Sequence, residues 1–290
     1  MSALVMGATG NIGPHVVREL AALGETPRVL VRDEEKARTL LGDGVEIVAG
    51  DANDTAVLDA AAEGVDTVFL LSPHGFDMAD LQLGVIRHLR RSGVRIVKLS
   101  GTSSAITPDG PHVCRQHWET ERVLQDSGQP FVILRPNSFM QVIVGQLLLG
   151  QLRATGKIIN AIGDAGISFV DARDVGAVAA QVLTRHDWDG QTLVLTGPRA
   201  VTYPELGELI SARTGEPAPV VDVPITAVQA SLIERGVPDW EAEHFVEMYE
   251  LFARHESEFV TDTVERISGR PARTIEAFLD ETLTPVGVSR

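Results

Sequence analysis

The stretch GATGNIG at Gly7–Gly13 decides the fold of this chain. It follows the short apolar run Ala3–Met6 and opens a segment with the periodicity of a helix. Gly7 permits a tight turn, Gly10 lets the backbone approach a pyrophosphate, and Gly13 lets the helix pack closely against the strand. The N-terminus of that helix presents free N–H groups and a partial positive charge to phosphate. A glycine turn in this context predicts a dinucleotide-binding site, against the alternative of a turn that merely needs glycines.

Short apolar runs alternate with helix-length segments through the first half of the 290-residue chain. The predicted strands are Ala3–Met6, Arg28–Val31, Val45–Val48, Thr67–Leu71, Arg95–Leu99 and Phe131–Leu134. The predicted helices are Ile12–Leu23, Glu34–Leu41, Ala56–Ala62, Asp77–Ser92 and His112–Ser127. The runs are rich in Val, Ile and Leu without polar alternation, as in strands buried on both faces of a parallel sheet. This α/β pattern predicts a Rossmann-type doubly wound parallel sheet.

The second half of the chain is mainly helical. Two further strands, Ile167–Val170 and Thr192–Leu195, are predicted on either side of the helix Ala172–Thr184. The later predicted helices are Tyr203–Thr214, Thr226–Arg235, Asp239–Arg254, Thr261–Ile267 and Arg273–Leu283. We therefore expect a nucleotide-binding domain at residues 1–155, completed by elements within 167–198. A smaller, mainly helical substrate-binding lobe is expected at 199–290, over the carboxyl edge of the sheet.

Acidic residues dominate the charge, since 25 Lys and Arg against 40 Asp and Glu give a net charge of −15. Such a surface repels phosphate backbones and anionic lipid, so neither nucleic acid nor a membrane is expected as a partner. No apolar run approaches the ~20 residues of a membrane span, and the N-terminus lacks the basic segment of a signal peptide. The single cysteine, Cys114, excludes an internal disulfide and a multi-thiolate metal site. We therefore expect a cytoplasmic protein without a bound metal.

The end of the second strand bears on the choice of nucleotide. In proteins that bind NAD, an acidic residue at this position holds the ribose 2′-hydroxyl. This chain has Arg32 there, and Lys36 follows one helical turn later. A guanidinium pairs with a phosphate through two hydrogen bonds, which favours NADP(H) over NAD(H). Asp33 keeps a ribose contact open, and solvated surface charges are the alternative interpretation of Arg32 and Lys36.

Three further strand ends carry polar or turn-forming residues. They are Asp51 and Ala52 after the third strand, Leu71, Ser72 and Pro73 at the fourth, and Ser100 and Thr102 at the fifth. Ligands bind at the carboxyl ends of strands in open α/β sheets. We therefore expect Asp51 near the adenine of a dinucleotide, and Ser100 and Thr102 near the nicotinamide. Ordinary loop chemistry is the alternative, because Ser, Pro and Asp also favour turns.

The acid–base pair of typical short-chain reductases is missing from the sequence. Those enzymes use a tyrosine with a lysine four residues later, which lowers the pKa of the tyrosine. Neither Tyr203 nor Tyr249 is followed by a lysine at that spacing. His117 and Glu121 instead lie four residues apart on a predicted helix, where two side chains meet. One interpretation is that His117 donates a proton and Glu121 is its carboxylate partner; the other is that the two residues form a structural polar pair. Metal binding by the pair is not expected, because no third ligand occurs at a useful spacing.

Large apolar residues concentrate in the C-terminal half. Phe245, Tyr249 and Phe252 recur at helical spacing along one predicted helix, which usually indicates a core face. Some of these aromatic residues, with others from strand-end loops, are also expected to wall a flat apolar pocket over the nicotinamide. The expected wall residues are Phe76, Phe139, Met140, Trp240 and Tyr249.

Seven segments together resemble the atypical short-chain dehydrogenase/reductase family, in its NmrA-like branch. They are GATGNIG at Gly7–Gly13, LVRDEEKA at Leu30–Ala37, HWETERVLQDSG at His117–Gly128, ILRPNSFMQ at Ile133–Gln141, FVDARDVGAVAAQVL at Phe169–Leu183, LTGP at Leu195–Pro198 and TDTVERISGRPARTIEAFL at Thr261–Leu279. Their order is more specific than any one segment. The sequence is similar to the quinone-reductase and triphenylmethane-dye-reductase type proteins of that branch.

The resemblance implies a Rossmann domain with a small helical lobe, NADP(H) in the cleft, and hydride transfer to flat conjugated acceptors. Cofactor contacts of the family carry over onto Gly7, Thr9, Gly10, Asn11, Ile12, Arg32 and Lys36. A missing tyrosine–lysine pair is itself typical of this branch, which leaves the proton donor unnamed. Some members of the branch are redox-sensing regulators that catalyse no reaction.

Two functions follow from these observations. The first is an NADPH-dependent reductase of a quinone, iminium or enone, suited to a tailoring step in specialised metabolism, with His117, Thr102 or Ser103 bonded to the acceptor. The second is an NADP(H)-sensing interaction protein without turnover. The size of the helical lobe favours the reductase, with a small aromatic or conjugated molecule as its partner. A sugar-nucleotide epimerase fits poorly because it needs the missing tyrosine–lysine pair, and no motif indicates an oligomeric state.

Overall fold

The computed structural model describes residues 2–283, which form a parallel sheet between two helical layers and a smaller lobe at its edge. The strands are β1 Ala3–Met6, β2 Arg28–Val31, β3 Glu46–Ala49, β4 Thr67–Leu70, β5 Arg95–Leu99, β6 Phe131–Pro136, β7 Ile158–Asn160, β8 Gly166–Ile167, β9 Thr192–Leu195, β10 Val201–Thr202 and β11 Val220–Asp222. The helices are α1 Gly13–Ala22, α2 Glu34–Leu41, α3 Thr55–Ala62, α4 Met78–Leu89, α5 His112–Asp126, α6 Leu149–Thr155, α7 Ala172–Thr184, α8 Tyr203–Thr214, α9 Ile225–Glu234, α10 Asp239–Ala253, α11 Thr263–Ser268 and α12 Ile275–Leu283. A 3₁₀ turn at Ser103–Ala105 and a π-helix at Met140–Leu148 complete the fold.

The main sheet has seven strands in the order β3-β2-β1-β4-β5-β6-β9, all parallel. Val5 of β1 lies opposite Val29 of β2 on one side and Phe69 of β4 on the other. The chain therefore winds outward in two directions from the centre of the sheet, which is the Rossmann arrangement that the sequence predicted. Because the direction of winding reverses between β1 and β4, a crevice opens there at the strand carboxyl ends.

Both faces of the sheet are covered because its strands are apolar on both faces. In β1, Ala3 and Val5 face the layer of α1, α7 and α11, while Leu4 and Met6 face α3, α4 and α5. All four side chains are buried. Helices α1 and α7 pack very closely, since a Cβ at Gly176 would lie 2.6 Å from the Cβ of His15. The glycine is therefore needed for this helix contact.

The smaller lobe has a core of its own, built from the π-helix, α6, α8, α10, α12 and the four short strands β7, β8, β10 and β11. Strands β7 and β11 pair in parallel, with Ile158 opposite Val220. The segment that contains α11 returns to the sheet, where Val264 and Ile267 join the core beside α7. The carboxyl edge of the sheet is thus bordered by elements that come from distant parts of the chain.

Several predicted elements differ from the structure in detail. The strand predicted at Ile167–Val170 covers only Gly166–Ile167, and it pairs with β10 outside the main sheet. The reason is that Ser168 donates from its hydroxyl to the Phe259 carbonyl, while Val170 forms an isolated bridge with Phe139. The third strand begins at Glu46, one residue later than predicted. The π-helix and α6 were not predicted. Within residues 2–283 no helix has the length and apolar character needed to cross a membrane.

Candidate active site

The glycine turn at the carboxyl end of β1 is packed tightly around backbone atoms. Gly7 has a φ of +68°, and a Cβ there would lie 2.7 Å from Leu71 Cγ. A Cβ on Gly13 would overlap the carbonyl oxygen of Gly7 and lie 2.5 Å from Ala8 Cα. A side chain at either position would displace backbone, so the sequence places glycine where the turn requires it.

The same turn leaves hydrogen-bond donors free toward solvent. A Cβ built on Gly10 meets only the Gly7 carbonyl oxygen, at 3.3 Å, so this side of the turn is open. Within residues 2–283 the backbone N–H groups of Asn11 and Ile12 donate to no acceptor, and no side chain caps α1. These donors lie at the positive end of the helix dipole. Free donors, positive potential and an unobstructed approach fit the diphosphate of a dinucleotide.

A cleft of about 580 Å³ opens in front of the turn, at the crevice between β1 and β4. It is lined by Met6, Gly7, Ala8, Thr9, Gly10, Asn11, Ile12, Leu30, Val31, Arg32, Lys36, Gly50, Asp51, Ala52, Asn53, Leu71, Ser72, Pro73, His74, Leu81, Leu99, Phe139 and Val142. The structure thus gathers the predicted cofactor residues around one cavity, apart from Ser100. The ends of five strands, β1 to β5, contribute to this lining, as expected for a ligand site in a doubly wound sheet.

A second concavity, of about 880 Å³, lies at the carboxyl ends of α3 and α4. Its walls include Glu63, Arg87 and Arg91, and His88 there is bonded to Asp59 at 2.6 Å. The helices run antiparallel to the strands, so this concavity is at the edge of the sheet opposite the glycine turn. We place the candidate site in the first cleft, because the strand carboxyl ends and the free N–H donors meet there.

One end of the cleft is cationic. Arg32 follows β2 directly and Lys36 lies in the first turn of α2, and both side chains are exposed. Within residues 2–283 neither cation forms an ion pair. Asp33 caps α2, because its Oδ1 accepts the backbone N–H of Lys36 at 2.9 Å. One oxygen of this acidic side chain is therefore used as the helix cap, and the two cations, unpaired within the described residues, face the cleft.

Hydrogen bonds within the loops hold the rim of the cleft in place. Asp51 Oδ1 accepts the backbone N–H of Asn53 at 2.9 Å and its side-chain amide at 3.0 Å. Ser72 Oγ accepts from Gln82 Nε2 of α4 at 2.8 Å. Both residues thus shape the rim at the ends of β3 and β4.

Behind the cleft, a buried lysine contacts the predicted histidine. Lys98 of β5 is 0% exposed, and its Nζ donates to the Leu99 carbonyl at 3.1 Å. The same Nζ lies 2.9 Å from His117 Nδ1. Burial lowers the pKa of Lys98 to about 7. Burial and the charge of Lys98 also hold the pKa of His117 well below its ordinary value, so the imidazole is neutral near pH 7.

Glu121 does not pair with His117, although both lie on α5. Its carboxylate is buried and accepts from Ser100 Oγ at 2.5 Å and from Arg135 Nη2 at 2.5 Å. A second bond from Arg135 Nε, at 3.1 Å, makes this contact two-pronged. Ser100 is consequently turned into the protein rather than toward the cleft. The histidine and the carboxylate belong to adjacent but separate hydrogen-bonded groups.

Thr102 joins the sheet to the smaller lobe. Its buried hydroxyl donates to Asn137 Oδ1 at 2.8 Å. The Asn137 amide donates in turn to Ser168 Oγ at 2.7 Å and to the Ser257 carbonyl at 3.0 Å. Asn137, Ser168 and Ser257 are all buried, so the hydroxyl of Thr102 belongs to a structural hydrogen-bond network beside the site.

Three histidines beside the cleft were missed by the sequence analysis. They form a histidine–aromatic cluster made of His74, Phe76, His112, Trp240, His244 and Phe245. His74 lines the cleft and stacks on Trp240 at 5.8 Å, while Phe76 stacks on His112 at 5.0 Å. The cluster combines the loop after β4 with α5 and α10, so no local pattern reveals it. The one available signal was the position of His74 in the loop that follows β4.

His244 lies inside this cluster without a polar partner. Its side chain is 6% exposed, and its ring centroid lies 5.2 Å from that of His74. Within the described part of the chain its Nδ1 is buried and forms no hydrogen bond. Burial lowers the pKa of His244 to about 3, so the ring is neutral. Among residues 2–283 no group of three or more His, Cys, Asp or Glu side chains is arranged to hold a metal ion.

The expected pocket-wall residues divide between the cleft and the core. Phe139 lines the cleft, and Phe76 and Trp240 belong to the histidine–aromatic cluster. Met140 is 1% exposed and packs in the core of the smaller lobe. Tyr249 packs against the same core and its pKa is raised by burial. The structure therefore places Met140 and Tyr249 away from the cleft; for Tyr249 the helical spacing with Phe245 and Phe252 had indicated such a core face.

Together the parallel sheet, the glycine turn and the cleft define a Rossmann-type nucleotide-binding protein. The chain belongs to the NmrA-like family, whose model matches residues 2–279. This agrees with the family that the ordered motifs indicated.

Known proteins of this family share the fold over almost their whole length. The NAD(P)H azoreductase of Xenophilus azovorans is 34% identical over 276 residues, 95% of this chain and 96% of that protein. The NADPH-dependent quinone oxidoreductase of Escherichia coli, solved in complex with NADPH, has a TM-score of 0.88 at 25% identity, covering 98% of this chain and 100% of that one. The triphenylmethane reductase of Citrobacter sp., complexed with NADP(H), has a TM-score of 0.84 at 24% identity, covering 97% and 99%.

Proposed function

We propose that this chain is an NADPH-dependent oxidoreductase that reduces flat conjugated acceptors, such as a quinone, an azo compound, an iminium or an enone. One observation carries the proposal. A single cleft combines the free N–H donors of the glycine turn with two unpaired cations at one end and His74 and Phe139 at the other. The names of the azoreductase and the quinone oxidoreductase support it, since both proteins resemble this chain over nearly their full length.

The residues around the cleft fit NADP(H) better than NAD(H). The N–H groups of Asn11 and Ile12 would hold the diphosphate, and Arg32 and Lys36 would hold the 2′-phosphate. Asp33, the nearby acid that would favour a free ribose, uses its Oδ1 to accept the N–H of Lys36. The expected preference for NADP(H) therefore rests on the cations Arg32 and Lys36 and on the use of one Asp33 oxygen as the cap of α2.

Bound NADPH would supply the hydride, and the chain would bind, orient and protonate the acceptor. A flat acceptor would lie between Phe139 and His74, which both line the cleft, with the other rings of the histidine–aromatic cluster behind His74. His117 is our candidate proton donor, because its Nδ1 is bonded to Lys98 and its Nε2 is left to carry the proton. We assign Thr102 to the wall of the site, since its hydroxyl is held by Asn137.

We further propose a division of labour along the chain. Residues 1–155, with the elements within 167–198, would bind the nucleotide, and residues 199–290 would contribute the acceptor side through α10. The histidines and Trp240 of the cluster connect the two parts. A cytoplasmic location would suit the buried thiol of Cys114 and the use of NADPH.

The test is anaerobic single-turnover oxidation of enzyme-bound NADPH, followed by absorbance, against quinones, azo dyes, iminium dyes and enones. NADH is run in parallel. Rapid loss of the NADPH absorbance with one acceptor class, and slower or weaker use of NADH, is the expected result. Tight NADPH binding without oxidation by any class would contradict a reductase and point to a protein that senses the nucleotide.

A further inference from the structure

A lysine inside the sheet demands an explanation, because its neighbours in strand β5 are apolar and the other charged residue of the strand, Arg95, forms an ion pair with Asp189 at 2.5 Å. Ile96, Val97 and Leu99 are all buried, and Lys98 between them is 0% exposed. An apolar side chain at this position would fill the same space without the cost of removing a charge from water. Within residues 2–283 Lys98 forms no ion pair, and its side-chain partner is His117.

The contact with His117 fixes which ring nitrogen carries a proton. Nζ donates to the Leu99 carbonyl at 3.1 Å and to His117 Nδ1 at 2.9 Å, so Nδ1 is an acceptor. The neutral imidazole then has its hydrogen on Nε2. The Cδ2 edge next to Nε2 lies against Gly101, where a Cβ would be only 3.6 Å away. His117 is half-buried, and its Nε2 is left without a partner among the described residues.

We propose that Lys98 is a positioning residue for proton delivery: it holds His117 in the Nε2–H form and returns a proton to Nδ1 when Nε2 protonates the reduced acceptor. The inference rests on the proposed reductase function, which it deepens. In this proposal His117 is the group that would reach the acceptor: it does not itself line the cleft, but it lies close enough to His74, which does, to be affected by the charge of that ring. Lys98 acts through His117.

The proton steps balance as follows for a quinone or an enone. After the acceptor has received hydride it carries an electron pair on oxygen, which takes the proton from His117 Nε2. Nδ1 of the same ring takes a proton from the Lys98 ammonium. The Nε2–H bond therefore breaks as the acceptor O–H bond forms, and an Nζ–H bond of Lys98 breaks as the Nδ1–H bond forms. The histidine stays neutral and the lysine becomes a neutral amine. When product leaves, water returns a proton to Nε2, and the Nδ1 proton passes back to Lys98.

The charges around this pair are suited to a transferable proton. Glu121 favours the protonated form of Lys98 and Arg135 opposes it, while burial lowers the pKa of the ammonium to about 7. His117 faces the same Arg135 and, from the loop after β4 and from α10, His74 and His244. Since Glu121 is occupied by Arg135 and Ser100, it does not lock the ammonium in an ion pair.

The experiment compares two acceptors that differ in their need for a proton. A quinone must gain a proton with the hydride, whereas a triphenylmethane cation becomes neutral by hydride transfer alone. Lys98→Met is expected to slow quinone reduction roughly 100-fold, within the range of general acid catalysis, and dye reduction less than about threefold. Lys157→Met, at an exposed position before β7, is the matched control and should leave both rates unchanged. Equal slowing of both acceptors, or no slowing of either, would overturn the proposal.

A second measurement on the unmodified protein keeps the test independent of turnover and of the folding of Lys98→Met. ¹⁵N spectra of labelled histidine, with His117 assigned through His117→Gln, should show the Nε2–H form below pH ~7. The Nδ1–H form should grow above that pH, as Lys98 loses its proton. A single tautomer across the whole range would refute the proton exchange. If wild-type protein reduces neither acceptor while the spectra show this exchange, the proposed function fails and the Lys98–His117 contact stands.

Discussion

Arg32→Gln tests the cationic end of the cleft in the most quantitative way. Arg32 is exposed, lines the cleft and forms no ion pair within residues 2–283, so its removal leaves no partner uncompensated. A hydrogen bond to a charged group contributes ~1.5–3 kcal/mol, and exposure places this one near the lower value. A loss of about 1.4 kcal/mol corresponds to a tenfold weaker NADPH complex. NADH lacks the 2′-phosphate, so its affinity should stay the same.

The assay is fluorescence titration of both nucleotides at low and high salt. Arg38→Gln is the matched control, because Arg38 is an exposed arginine of α2 that pairs with Glu34 at 2.6 Å and lies outside the cleft. Its NADPH affinity should equal that of the wild type, and the effect of Arg32→Gln should shrink as salt screens the charges. If Arg32→Gln weakened NADPH and NADH by the same factor, the assignment of the 2′-phosphate would be refuted.

Three further outcomes follow from individual contacts. Gly13→Ala should lower the free energy of unfolding by ~1–3 kcal/mol and weaken NADPH binding at least tenfold, because the added Cβ overlaps the Gly7 carbonyl oxygen. Gly150→Ala is the control, since the space around Gly150 is open, and it should cause neither effect. Calorimetry measures the stability and titration measures the affinity. Burial raises the pKa of Asp174 from 3.8 to about 6, so its contribution to stability is present below pH ~4 and lost as pH rises through 6. As the pH rises between these two values, the free energy of unfolding of Asp174→Asn, measured in urea, should increase by about 2–3 kcal/mol relative to that of the wild type. A difference between the two proteins that does not change with pH would contradict the raised pKa. Burial raises the pKa of the Cys114 thiol to about 12, so it should react with a disulfide reagent at pH 8 only after denaturation.

The sheet was predictable because its determinants are local. Each of its strands is a short apolar run between turn residues, and the glycine turn identifies which strand comes first in the fold. The parallel order then follows from the repeated strand–helix units. The cofactor end of the cleft was predictable for the same reason, since Gly10, Arg32 and Asp51 each lie at the carboxyl end of a strand.

The acceptor end was less predictable because it is made by contacts between distant segments. His74 and His244 are 170 residues apart in the sequence, yet the centroids of their rings lie 5.2 Å from each other. Strands as short as β8 and β11 exist only because a distant partner pairs with them. The partner of His117 was expected to be Glu121, four residues away, whereas the structure pairs it with Lys98 across the helix–sheet interface. A lysine within the apolar run Arg95–Leu99 was the available signal.

Transfer of hydride from NADPH to a bound acceptor is the central claim, and isotope transfer tests it most directly. NADPH carrying deuterium at C4 is mixed with enzyme and an acceptor that takes hydride at carbon, such as an iminium, an enone or a triphenylmethane cation, and the reduced product is examined by mass spectrometry. We expect one deuterium on a carbon of the product when the label occupies the transferred position. Product that forms with solvent hydrogen alone, or NADPH that remains bound and unoxidised with every acceptor, would contradict it.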